Sequence, residues 1–140
     1  MMRAAALCAW VAGLGFGLPG LYGTWYFAAH DRVWSFLGFP TYGSGPFEAA
    51  GIETSTPLLI AFVLVCAAEL VAGRMLWQRR RAAITISLAL LPLELACWIG
   101  FALPVAIALG VARTALVLVA WSSWRRAGVS SASCPLQRSF

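Results

Sequence analysis

Residues 54–77 read TSTPLLIAFVLVCAAELVAGRMLW. Thr54, Ser55 and Thr56 supply cap residues, and Pro57 suits the first turn of a helix, where its missing N–H costs nothing. After Pro57 the chain stays apolar to Trp77, interrupted only by Glu69 and Arg74. About 20 such residues at ~1.5 Å each span the ~30 Å hydrocarbon core of a bilayer. This stretch predicts a membrane-crossing helix.

Three further runs of the same kind surround it. The first extends from about Ala4 to Ala28, the third from about Ala82 to Phe101, and the fourth from Pro104 to about Trp124. Arg3 before the first run suggests a signal peptide, but the run is too long and no A-x-A site closes it, so it is read as a retained span. The chain has 140 residues, 61% hydrophobic and 11% charged, with mean hydropathy +0.83. Water-soluble domains carry about 25% charged residues, so lipid is the expected solvent. The fold class is therefore all-α: a four-helix transmembrane bundle, with an outer loop of about 25 residues. Residues 1–126 form the one bundle domain. The Ser-rich residues 127–140 are expected to be a flexible cytoplasmic tail.

Charge sets the orientation. All ten basic residues are Arg and the net charge is +5. A basic balance can mark nucleic-acid binding, but these arginines flank the spans, and no nucleic-acid partner is expected. Arg3 precedes the first run, Arg74, Arg79, Arg80 and Arg81 mark the turn after the second, and Arg125, Arg126 and Arg138 follow the fourth. The first loop instead sets Arg32 against Asp31, Glu48 and Glu53. Basic residues stay inside, which predicts a multi-pass cell-membrane protein with cytoplasmic N- and C-termini. Trp25, Tyr26, Phe27, Trp34 and Trp98 then fall near the outer interface, and Trp77, Trp121 and Trp124 near the inner one.

The loop segment Asp31–Leu37 could lie on the membrane surface. Beyond it Gly38, Pro40, Gly43, Gly45 and Pro46 break regular structure. Phe36, Phe39, Tyr42 and Phe47 are expected to cap the outer mouth, as a sealing lid or as a binding loop. Within the spans, small residues recur every four positions. Ala9, Gly13 and Gly17 do so in the first, Ala96 and Gly100 in the third, and Ala102, Ala106 and Gly110 in the fourth. Such stripes let helix backbones approach, within one chain or between copies. Pro19 and Pro92 remove helix hydrogen bonds and can kink the backbone, which would open a central cavity.

The sharpest feature is three ionisable residues in the middle of the runs: Glu69, Glu94 and Arg113. A lone charge at mid-bilayer costs about 3 kcal/mol. Counted from the arginine-flanked ends, all three lie at roughly 15–18 Å depth. Each shares its helix face with small or weakly polar residues: Cys66, Ala72 and Gly73 beside Glu69; Ser87 and Cys97 beside Glu94; Ala106 and Gly110 beside Arg113. Together these observations predict a Glu69–Arg113–Glu94 cluster inside the bundle, with the planar guanidinium bridging both acids. Two acids and one base leave one negative charge, or one acid carries a proton. Such a cluster can fix helix register, or it can relay a proton or hold a cation, a quinone head or a polar solute.

Other chemistry is excluded. There is no phosphate-gripping Gly loop, no Ser/His/Asp set and no metal-ligand spacing. The single His30 and the four scattered cysteines argue against zinc. Cys8, Cys66, Cys97 and Cys134 read as small hydrophobes, with a Cys66–Cys97 redox pair as the alternative. The chain is read as non-catalytic, with no metal and no cofactor unless a quinone occupies the charge cluster.

The stretch Pro57 to Glu94 resembles the corresponding part of DoxX-like proteins, a small four-helix integral membrane family. The matching residues are Pro57, Glu69, Ala72-Gly73, Leu76 and Arg81-Ala82-Ala83. The first loop, with Gly38-Phe39-Pro40-Thr41-Tyr42-Gly43, is longer than the family pattern, and Glu94 and Arg113 have no family role to transfer. The resemblance implies a four-span fold and a link to membrane oxidoreductase complexes and quinone chemistry. Three functions follow as expectations: a non-catalytic accessory or scaffold subunit that can self-associate or join another membrane subunit; an oxidoreductase-complex subunit contacting quinone; and a proton-coupled carrier of a small solute.

Overall fold

The computed structural model describes residues 1–36, 39–40 and 45–132, with side chains described outside 36, 39, 40 and 123–132. Five helices follow in order: α1 (Met2–His30), α2 (Pro46–Ala49), α3 (Thr56–Trp77), α4 (Ala82–Gly100) and α5 (Pro104–Ala132). Helices α1, α3, α4 and the Pro104–Ser122 part of α5 are each long and apolar enough to cross a membrane. The chain is thus an all-α, multi-pass membrane protein whose outward positions suit lipid. Leu7, Val11, Leu14, Leu18, Leu64, Val71, Val105 and Val111 are all exposed.

The four long helices form a ring. Helix α1 packs on α3 and α5, and α4 packs on α3 and α5, which leaves α3 and α5 on one diagonal. Each buried face repeats at helical spacing. On α3 it is Leu59, Phe62, Cys66, Glu69, Ala72, Gly73 and Leu76. On α5 it includes Ala106, Arg113, Val117 and Ala120. Small residues permit close contact. A Cβ on Gly13 of α1 would stand 2.7 Å from the Leu70 side chain and 3.0 Å from the Cys66 carbonyl of α3. A Cβ on Gly110 of α5 would overlap the Trp98 ring of α4.

Several sequence expectations are corrected. Helix α1 begins two residues before Ala4 and ends two after Ala28, closing at Asp31, whose N–H donates to the Phe27 carbonyl at 2.8 Å. Of the stripe Ala102, Ala106 and Gly110, Ala102 lies outside α5. Ala102 is exposed in the turn before it, with φ 53°, because its N–H closes the end of α4 onto the Ile99 carbonyl at 3.0 Å. Ala96 is exposed as well, since the inward face of α4 runs through Glu94 and Trp98. Helix α5 passes residue 126 and reaches Ala132, so the expected tail boundary falls within it; residues 133–140, including Cys134 and Arg138, lie outside the described residues.

The outer loop holds more order than its glycines and prolines suggest. Residues 31–34 have no regular structure; Ser35–Phe36 then pairs antiparallel with Phe39–Pro40, and Pro46–Ala49 forms one helical turn. The Phe47 ring lies edge-on to Phe101, with centroids 5.3 Å apart, and fills the space a Cβ on Gly100 would need. Thr54 Oγ1 donates to Glu48 Oε1 at 3.0 Å and ties the turn to the start of α3. The side chains of Phe36 and Phe39, and Tyr42 altogether, are outside the described residues.

Helices α1 and α4 continue through Pro19 and Pro92. The centre is occupied by side chains, with Arg113, Phe62, Leu59, Leu76, Glu94 and Val117 the largest of those fully buried. A cavity of about 150 Å³ lies off the axis, between α1 and α3, lined by residues including Gly13, Gly17, Cys66 and Leu70.

Candidate functional site

Three helices converge on one guanidinium. Arg113 projects from α5 across the diagonal to α3, where its Nη1 donates to Glu69 Oε1 at 2.8 Å. The same Nη1 donates to Glu94 Oε1 of α4 at 2.9 Å, and Nη2 donates to Glu94 Oε2. Glu94 thus receives the two-pronged grip that a planar fork makes with a carboxylate, and Glu69 a single bond. The geometry follows from helix direction. Helical side chains lean toward the N-terminal end of their helix, and α5 is antiparallel to α4. The guanidinium therefore leans along α4 toward Glu94.

The layer is buried. Arg113 is 1% exposed, Glu69 2% and Glu94 0%. It is closed on both sides by apolar packing. Toward the arginine-rich end lies a plug of Met2, Ala5, Ala6, Leu76, Ala83, Ile84, Val117 and Ala120. Toward the loop end lies a second plug of Leu59, Phe62, Cys66 and Phe101, with Phe16, Phe27 and Phe47 packed against it. With little water to compete, these hydrogen bonds gain strength, and an unpaired member would cost far more than at a surface. Among the described residues, Arg113 Nε and Ser87 Oγ are buried polar atoms with no hydrogen-bond partner. Ser87 lies one turn along α4 from Ile84 and Arg113 one turn along α5 from Val117, and Ile84 and Val117 both belong to the plug at the arginine-rich end.

The other sequence candidates fall into two groups. Ala9 and Gly13 are buried where α1 meets α3, and Gly17 is half-buried with its Cβ position 3.1 Å from Cys66 Cβ. Ala106 and Gly110 are buried on α5. Ala9, Gly13, Gly17 and Gly110 lie at contacts between helices, and Ala106 is buried. Cys8, Cys66 and Cys97 are free thiols. Cys66 is buried and Cys97 packs against the same apolar cluster, one turn outward from Glu69 and Glu94 respectively. Among the described residues no group of His, Cys, Asp and Glu could hold a metal ion.

Sequence reasoning missed the aromatic seam at the arginine-rich end. Trp10 stacks on Trp77 with centroids 5.3 Å apart, Trp10 Nε1 donates to the Leu70 carbonyl at 3.3 Å, and the Arg3 guanidinium lies 5.1 Å over the Trp77 ring. Trp10 sits on the same face as Arg3, two turns along α1, and that spacing is visible in the sequence. No family model, curated protein or solved structure matches the chain.

Proposed function

We propose that this small integral membrane protein has no catalysis of its own and acts as an accessory or scaffold subunit in the cell membrane, with both termini cytoplasmic. Its work is to present a rigid four-span surface to another membrane subunit or to a second copy of itself. One observation carries the reading: the Glu69–Arg113–Glu94 layer lies between two apolar plugs, which suits a clamp holding three helices better than a site visited by a solute.

A second reading, a proton-coupled carrier, draws on the charge count, because two carboxylates against one guanidinium leave room for one exchangeable proton. Flux in liposomes separates the two. Vesicles holding the parent chain are expected to leak protons and small solutes no faster than empty vesicles, and Glu69→Gln and Glu94→Gln are expected to leave that rate unchanged. Flux from the parent that either substitution abolishes would replace the scaffold with the carrier.

A further inference from the structure

The end of the bundle opposite the long loop carries a cluster of cations with no acidic side chain beside it. Arg3, Arg74, Arg79, Arg80 and Arg81 are all exposed there. The chain has five acids. Asp31, Glu48 and Glu53 are in the long loop at the opposite end, and Glu69 and Glu94 are in the buried layer. The patch is built on a firm base. Trp77, 40% exposed, is held between Arg3 above its ring and Trp10 stacked beside it.

The turn that carries three of the arginines holds one of them in the left-handed region. Helix α3 ends with the Arg79 N–H donating to the Leu76 carbonyl at 3.0 Å and the Arg80 N–H to the Met75 carbonyl at 3.1 Å. That pattern puts Arg79 in the left-handed region, at φ 56°. Glycine usually fills this slot because it has no Cβ to clash. Here the chain keeps a cationic side chain where glycine would be easier to hold. Asp31 and Ala102 take the same conformation, at φ 52° and 53°, where α1 and α4 end, so this is how the chain closes its long helices, and here it sets a cation at the membrane edge.

We propose that this end binds the phosphate of anionic phospholipids, with Arg79, Arg80, Arg81 and Arg3 as its partners. Guanidinium forks match phosphate oxygens two at a time. The arginines directly follow or precede membrane-crossing helices, so they sit at headgroup depth, with Trp77 beside them as an interfacial anchor. A zwitterionic headgroup brings its own cation and leaves the patch unneutralised; an anionic one does not. The partner is a lipid rather than free phosphate, because the patch is continuous with the lipid-facing surface of α1 and α3.

Titration of the full chain with phosphatidylglycerol and with phosphatidylcholine, read by native mass spectrometry from detergent, tests this. Phosphatidylglycerol is expected to bind more tightly, and each arginine removed from the turn is expected to weaken it by about fivefold. Arg79→Gly is the decisive variant. It relieves the left-handed strain, so it should melt no lower than the parent while binding phosphatidylglycerol less tightly. Arg80→Gln should weaken binding alike without touching that strain, and Arg32→Gln, at the opposite end, should leave it unchanged. Millimolar inorganic phosphate is expected not to displace the lipid. Equal binding of the two lipids, unchanged phosphatidylglycerol binding in both Arg79→Gly and Arg80→Gln, or displacement by inorganic phosphate would each overturn the proposal.

Discussion

Arg113 is the residue on which three helices depend, and its three hydrogen bonds divide unevenly between Glu94 and Glu69. Removing one partner of a buried ion pair typically costs about 3–5 kcal/mol, because the remaining charge is left uncompensated, whereas replacing the whole group by well-packed apolar side chains is often neutral or better. Arg113→Gln is therefore expected to destabilise the bundle by about 3–5 kcal/mol, while the triple variant Glu69→Leu, Glu94→Leu, Arg113→Leu should stay close to the parent. Reversible unfolding in bicelles checks both. A triple variant as unstable as Arg113→Gln would mean that the layer contributes net stability beyond mutual neutralisation. At this scale the sequence was informative about position. Each charge stands out against an apolar run, and counting turns gives its depth and face. The uneven sharing was not legible, because it depends on which helix lies beside α5 and which lies across the diagonal.

At the scale of elements, the helices were legible and their contacts mostly were not. Length and apolar content mark the spans because the bilayer fixes both. Inward faces are harder to read, since lipid-facing and core-facing positions are equally apolar and hydropathy periodicity carries little signal. Small residues carry it instead, and they do so unevenly: Gly13 and Gly110 mark real contacts, while Ala96 and Ala102 are exposed. The placement of Phe47 against Gly100 and Phe101 was beyond sequence reasoning in detail, because a loop ring finds its site only once the bundle exists. Gly110→Val should cost about 1–3 kcal/mol by forcing the Trp98 ring aside, and Gly13→Val should do the same between α1 and α3. Gly15→Ala is the control, because a Cβ there meets nothing within 4 Å. It should be neutral or mildly stabilising in the same unfolding measurement. Equal losses at all three glycines would mean that helix propensity, not interhelical contact, sets their cost.

For the whole molecule, the layering is the main result. An apolar plug, a charged layer and a second apolar plug follow one another along the bundle axis, with exposed arginines beyond one end and the long loop beyond the other. The layering ties fold to function. A bundle whose deep charges are paired with one another can stay closed to water in lipid, as the proposed scaffold requires, and its arginine-rich end can be held at the headgroups. The most direct test is solid-state NMR of the chain in lipid bilayers, with arginine side-chain nitrogens and glutamate carboxyl carbons isotopically labelled. The account predicts cross-peaks from the Arg113 guanidinium to the carboxyl carbons of both Glu69 and Glu94. Cross-peaks from that guanidinium to lipid acyl chains, with none to either carboxyl, would contradict it.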